Sequence, residues 1–250
     1  MKDKGGASRK VRQALGWISL MLLALAGCAA PVKPNISGKL PVVATTTIVG
    51  DVVKNVGGDH IEMIVLIAPG TDEHGYQPAP QDIVKASQAS LIFMNGAGLE
   101  QFIEKMMQEA AGNNSGTEKL VSVSEGIQLL KGEEHEGETH AGEGHGEGDP
   151  HVWTDPNNVL VWVDNIEKAL VQADPAHSTD YQKNAEAYRQ QLGKLDGWVR
   201  EQVGQVPQEQ RQLVTDHLVF TYFASRYGFE QVGAVVPGYS TMASPSAQEL

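Results

Sequence analysis

The sequence predicts an α/β protein of two lobes, each built on a parallel sheet, joined by a long rigid helix, with the second lobe truncated at Leu250. Three observations predict it. Short β-branched runs alternate with helical stretches, which is the pattern of βαβ units and parallel strands. One apolar stripe runs along a helix of about 25 residues in the middle of the chain. Beyond that stripe the alternation of strand and helix starts again, and the chain then stops.

Leu40 to Thr46 reads as the first strand, followed by a helix over Val49 to Val56 that Gly57-Gly58 ends. Ile61 to Ile67 is a second strand closed by Pro69-Gly70. A helix starts near Pro80, where proline suits the first turn because its missing N–H would be unpaired anyway. Leu91 to Met94 is a third strand, Leu99 to Ala111 a helix, and Leu120 to Val123 a fourth strand. Residues 132–149 (GEEHEGETHAGEGHGEGD) contain no apolar side chain larger than alanine, so this insert is expected to be a disordered loop. Order resumes at His151, and Asp155-Pro156 caps a helix running to about Ala173. Tyr181, Ala185, Tyr188, Leu192, Leu195, Val199 and Val203 then form the long stripe, on a helix of roughly 38 Å. Gln212 to Thr215 is a strand, Val219 to Tyr227 a helix and Gln231 to Val236 a strand. Ser244-Pro245 and the pair Ser246 and Glu249 open one more helix as the chain ends. The 44 residues from Pro207 onward fall short of the ~60 that a small domain needs to bury its own core.

The expected organisation is a signal peptide over 1–27, a spacer over 28–38, a metal-binding lobe over 39–174, an inter-lobe helix over 175–206, and an incomplete second lobe over 207–250. Residues 1–27 carry five basic side chains against one acidic one, all before the thirteen-residue apolar run Ala14 to Ala26. That run is too short for the roughly 20 residues of a membrane span, so it reads as an export signal. The whole chain carries a net charge of −12, which argues against a nucleic-acid partner because phosphate recognition needs clustered Lys and Arg. Its single cysteine, Cys28, excludes an internal disulfide and every zinc site built on paired thiolates. Any metal must sit on histidine and carboxylate.

Of eight histidines, His74, His151 and His217 stand apart because each is predicted in a loop that follows a strand. Ligands collect at the carboxyl ends of strands in open α/β sheets, so these three residues can converge there. Three neutral imidazoles suit zinc, and also manganese or iron when carboxylates complete the shell. Hydrogen-bonded loop histidines are the alternative reading of the same residues. His60 and His177 are expected to be exposed, and Trp153, Trp162 and Trp198 to serve packing. Neither a phosphate-binding glycine loop nor an HExxH or GxSxG motif is present.

The resemblance to a known family is carried by VATTTI (43–48), PGTDEHGYQPAPQD (69–82), DPHVWTDP (149–156), NAEAY (184–188), LVTDH (213–217) and GAVVPGYSTMASPSAQEL (233–250). In family order and over essentially the whole mature chain, these segments resemble the ZnuA/TroA-like metal-binding lipoproteins of zinc and manganese ABC transporters. The resemblance implies metal ligation by His74, His151 and His217, and a fourth Asp or Glu ligand from a region that would follow Leu250. Glu73 is the auxiliary candidate for that fourth place, with a solvated loop carboxylate as its alternative reading. Leu-Ala-Gly-Cys resembles a lipoprotein processing site, which implies a lipid on Cys28, an extracytoplasmic location at the cell envelope and anchoring to the membrane. His135, His140 and His145 in the acidic insert read either as weak metal-capture ligands or as part of a solvated low-complexity segment, and the resemblance associates such His-rich loops with zinc import, favouring Zn2+ over Mn2+. The implied function is capture of zinc between two lobes by a monomer, and delivery to an ABC permease, with no catalytic residue. Manganese or iron carriage, a three-His zinc hydrolase and a surface adhesin are the alternatives.

Overall fold

A computed structural model of the chain describes residues 38–100, 102–103, 105–106, 119–131, 148–236 and 238–242. Four strands, β1 (Leu40–Ala44), β2 (Ile61–Val65), β3 (Leu91–Met94) and β4 (Leu120–Ser122), form a parallel sheet in the order β2-β1-β3-β4. Successive side chains of β1 take opposite faces, as strand geometry requires. Val42 and Ala44 join one buried cluster, whereas Val43 joins the other with Ile92, Met94, Ala86 and Ile103.

The first face is covered by helices α1 (Thr47–Gly57), α3 (Pro156–Ala173) and α4 (Ser178–Gly204). The second is covered by α2 (Pro80–Gln88) and the helical residues Ile103 and Met106. Local chemistry explains the starts. Thr46 accepts the Val49 N–H at 3.1 Å to cap α1, and Asp155 accepts the Asn157 N–H at 2.8 Å to cap α3 ahead of Pro156. Trp162 of α3 is wholly buried, and its indole N–H donates to Ser124 Oγ at 3.0 Å. A buried indole finds such a partner because a lone N–H in the core is costly.

Helix α4 has 27 residues and outruns α3, which has 18. Tyr181, Ala185 and Leu192 are therefore buried, but Leu195 is 44% and Trp198 58% exposed. The expectation that Trp198 packs is corrected here: a helix that turns back beside α4 can cover only as many turns as it has. Past α4, strands β5 (Gln212–Thr215) and β6 (Glu230–Ala234) pair in parallel as a second sheet, linked by helix α5 (Thr221–Tyr227).

His60 and His177 are half-buried, not exposed as expected. Their rings stack with centroids 4.0 Å apart, while His60 Nε2 lies 2.9 Å from Asp180 Oδ2 and His177 Nδ1 lies 2.7 Å from Asp174 Oδ2. Two nearly parallel rings cannot both aim in-plane lone pairs at one ion, so this pair is a clip between the α1–β2 corner and the turn into α4. Among the described residues no helix is long and apolar enough to cross a membrane. The leader, Cys28, most of the spacer, residues 132–147 of the insert and the cap at Ser244 lie outside the described residues, as does most of the helix expected over Leu99 to Ala111.

Candidate metal centre

The three singled-out histidines reach the site from three connections. His74 lies in the segment between β2 and α2, His151 directly before α3's leading turn, and His217 two residues after β5. His151 Nε2 is 3.1 Å from His74 Nε2 and 3.2 Å from His217 Nε2. Ligand atoms of all three lie within 4.8 Å of one another, and His151 and His217 are buried. At a metal–nitrogen bond of about 2.05 Å, a tetrahedral edge is about 3.3 Å and a right-angled one about 2.9 Å. The observed spacings fall between them.

The proton positions follow from the neighbours. Asp149, wholly buried, accepts from the His151 backbone N–H at 2.9 Å, and its Oδ1 is 2.7 Å from His151 Nδ1. A proton held on Nδ1 leaves the Nε2 lone pair facing the other two rings, the tautomer that a metal ligand needs. The second Asp149 oxygen, buried, has no hydrogen-bond partner among the described residues. A buried carboxylate with so little compensation is costly, and a cation at the far side of His151 would offset its charge. That chemistry fits a metal ion.

Each remaining histidine has an aspartate beside it. Asp216 Oδ1 accepts the His217 backbone N–H at 2.9 Å, and this bond, ahead of burial, holds the Asp216 carboxyl below its ordinary range. It also lies 3.2 Å from His217 Nδ1 without the alignment of a hydrogen bond. Asp72 Oδ1 accepts the His74 N–H at 2.9 Å, while its other oxygen accepts from the Thr241 hydroxyl, tying the His74 segment to the connection that follows β6.

Three supporting residues went unnoticed at the level of sequence. Asp149, expected as the last residue of the disordered insert, is instead held in place: its backbone N–H donates to Leu130 O at 2.8 Å and its side chain serves His151. An aspartate two residues ahead of a candidate ligand was the available signal. Asn95 Nδ2 donates to Pro150 O at 3.0 Å. Glu100, also wholly buried, accepts from Thr45 Oγ1 at 2.6 Å, Asn95 N at 2.7 Å and Gly96 N at 3.0 Å. The Asn95–Gly96 turn admits no side chain at Gly96, whose φ is +77° and whose added Cβ would stand 2.0 Å from Ser122 Oγ.

Burial pushes the Glu100 carboxyl up to about 7 from 4.5, against the pull of those three hydrogen bonds. Between these values the folded chain binds more protons here than the unfolded one, so Glu100's contribution to stability is full at low pH and lost as pH rises through about 7. Denaturation of the metal-free protein at pH 5 and pH 8 should therefore show the wild type losing on the order of 3 kcal/mol more than Glu100→Gln. Parallel pH dependences for the two proteins would refute it.

Glu73 is half-buried beside His74 but is not among the residues whose ligand atoms converge. His135, His140 and His145 fall outside the described residues.

Comparison with known proteins places this arrangement. Residues 42–250 match the family profile for the zinc-uptake complex component A, periplasmic. The iron-binding protein YfeA of Yersinia pestis is 38% identical over 211 residues, covering 84% of this chain and 64% of the relative. The manganese ABC transporter substrate-binding lipoprotein PsaA of Streptococcus anginosus is 36% identical over 214 residues, covering 84% and 66% respectively. The chain thus spans about two thirds of the length of these curated relatives. The periplasmic zinc-binding protein TroA of Treponema pallidum superposes with a TM-score of 0.70 at 32% identity, over 85% of this chain and 72% of that one. With a profile match over most of its length and a fold shared with TroA, the chain belongs to the zinc-uptake component A family of ABC-transporter metal-binding proteins.

Proposed function

We propose that this chain captures a divalent metal ion, zinc in the first instance, outside the membrane and delivers it to an ABC permease. It acts as a monomer held to the membrane by a lipid on Cys28, and as a carrier, not a hydrolase. The observation that carries this reading is the convergence of three imidazole Nε2 atoms beside a buried, under-compensated Asp149. In a carrier the ion is cargo: His74, His151 and His217 hold it, and release follows when one ligand segment moves. The Asp72–Thr241 contact joins the segment of His74 to the connection after β6, so a shift of either lobe at the permease would disturb the shell.

Manganese or iron is the second reading. Two observations favour keeping it: the Nε2 spacings lie between the tetrahedral and right-angled values, and the relatives are named for iron, manganese and zinc in turn. Equilibrium titration with zinc, with manganese as competitor, separates them. Zinc reading: one tight site from which excess manganese does not displace zinc. Displacement at comparable concentrations would move the assignment to manganese. His217→Ala should weaken zinc binding at least ~30-fold while the far-ultraviolet spectrum is unchanged, since it removes one of three nitrogen ligands from an otherwise folded chain. Affinity within a few-fold of wild type would remove His217 from the site.

A further inference from the structure

His217 follows a strand of the second sheet, whereas His151 precedes α3, which packs on the first, so the two rings need something to hold them in register. Tyr222 of α5 lies five residues after His217 and is buried. Its hydroxyl donates to the Asp149 carbonyl at 2.8 Å and accepts the Leu130 N–H at 3.0 Å. The Asp149 N–H in turn donates to Leu130 O at 2.8 Å, so residues 130 and 149 are joined by one backbone bond and one shared hydroxyl. Asp149 then fixes His151 through two bonds, to its backbone N–H and to Nδ1.

We propose that Tyr222 is a positioning residue of the metal centre: from the second lobe, through Asp149, it sets where His151 stands relative to His217. This rests on the reading of the three histidines as the metal site. Pro150 makes the linkage stiff, because its ring fixes φ between Asp149 and His151. Its carbonyl is held from the opposite side by Asn95 Nδ2 at 3.0 Å. The Asp149–His151 segment is thus clamped from the four-stranded sheet by Asn95 and from α5 by Tyr222. Removing the Tyr222 hydroxyl leaves the part-buried Leu130 N–H and the buried Asp149 carbonyl each without that partner, and the segment relaxes to recover them. A ligand set works within tolerances of about 0.5 Å, so such a relaxation reaches the ion. Burial pushes the Tyr222 hydroxyl up to about 12, which keeps its donor proton in place throughout the physiological range.

The test is cobalt(II) binding to the full chain, read as both a dissociation constant and a d–d absorption spectrum that reports ligand geometry. Tyr222→Phe keeps the ring and its packing. It should weaken cobalt binding about 10-fold, as loss of an outer-shell partner does, and should change the d–d bands. Tyr227→Phe is the control, because it deletes the hydroxyl of an equally buried tyrosine on the same helix, one that bonds Asp196 instead, at 2.9 Å. Its spectrum should match the wild type. Wild-type spectrum and affinity in Tyr222→Phe would overturn the proposal, and so would a lowered melting temperature with an unchanged spectrum, the mark of a purely structural role. A His151→Ala protein with the wild-type spectrum would instead overturn the metal site itself, and the proposal with it.

Discussion

His151→Ala is expected to abolish tight metal binding, raising the zinc dissociation constant at least ~100-fold, about 3 kcal/mol or more. The effect should exceed that of the other two histidines for a structural reason. His151 lies between them, 3.1 Å from one Nε2 and 3.2 Å from the other, and a wholly buried carboxylate, Asp149, sits on its Nδ1. Removing the ring also takes from buried Asp149 its side-chain partner and leaves it the residue-151 backbone N–H, while its second oxygen has no hydrogen-bond partner among the described residues. Isothermal titration of wild type and variant decides it; a loss below ~10-fold would place the principal ligands elsewhere.

The largest expected effect on stability is at Trp162. Trp162→Ala should cost about 3–5 kcal/mol, since it opens a cavity under α3 where the side chain has no exposure at all. The deletion also frees the Ser124 hydroxyl that accepts the indole N–H. Denaturant unfolding measures the difference directly. A cost below ~1 kcal/mol would mean that the core between α3 and the sheet collapses around the gap, against the packing described.

Much of this architecture was legible in the residues. Leu91–Met94, Pro156–Ala173 and Gln212–Thr215 form where their patterns and caps place them, because each is bounded by its own punctuation: Pro156 behind an Asp cap, or a short strand between polar neighbours, Ser90 and Asn95 in one case and Arg211 and Asp216 in the other. Trp198 and Leu195 are exposed despite their apolar periodicity, since periodicity reports which face is apolar and not whether a partner helix extends far enough to cover it. His60 and His177 looked unremarkable because stacking between segments far apart in sequence leaves no local trace.

The site divides in the same way. Imidazoles at strand ends announce themselves, because few other residues do that chemistry there. Their supports do not. Asp149 sits at the end of a low-complexity acidic run and reads as more of it, while Tyr222 reads as an apolar helix position until its hydroxyl is seen on Asp149. Glu100, between Leu99 and Gln101, gives no hint that three donors converge on it.

The central claim is that His74, His151 and His217 together hold one metal ion. X-ray absorption at the zinc edge tests it most directly, on the one-to-one complex of a chain in which His135, His140 and His145 are replaced by alanine. The predicted spectrum shows about three imidazole nitrogens near 2.05 Å, and loses one of them when His151 is also replaced. An oxygen-dominated shell, or a spectrum indifferent to His151→Ala, would contradict it.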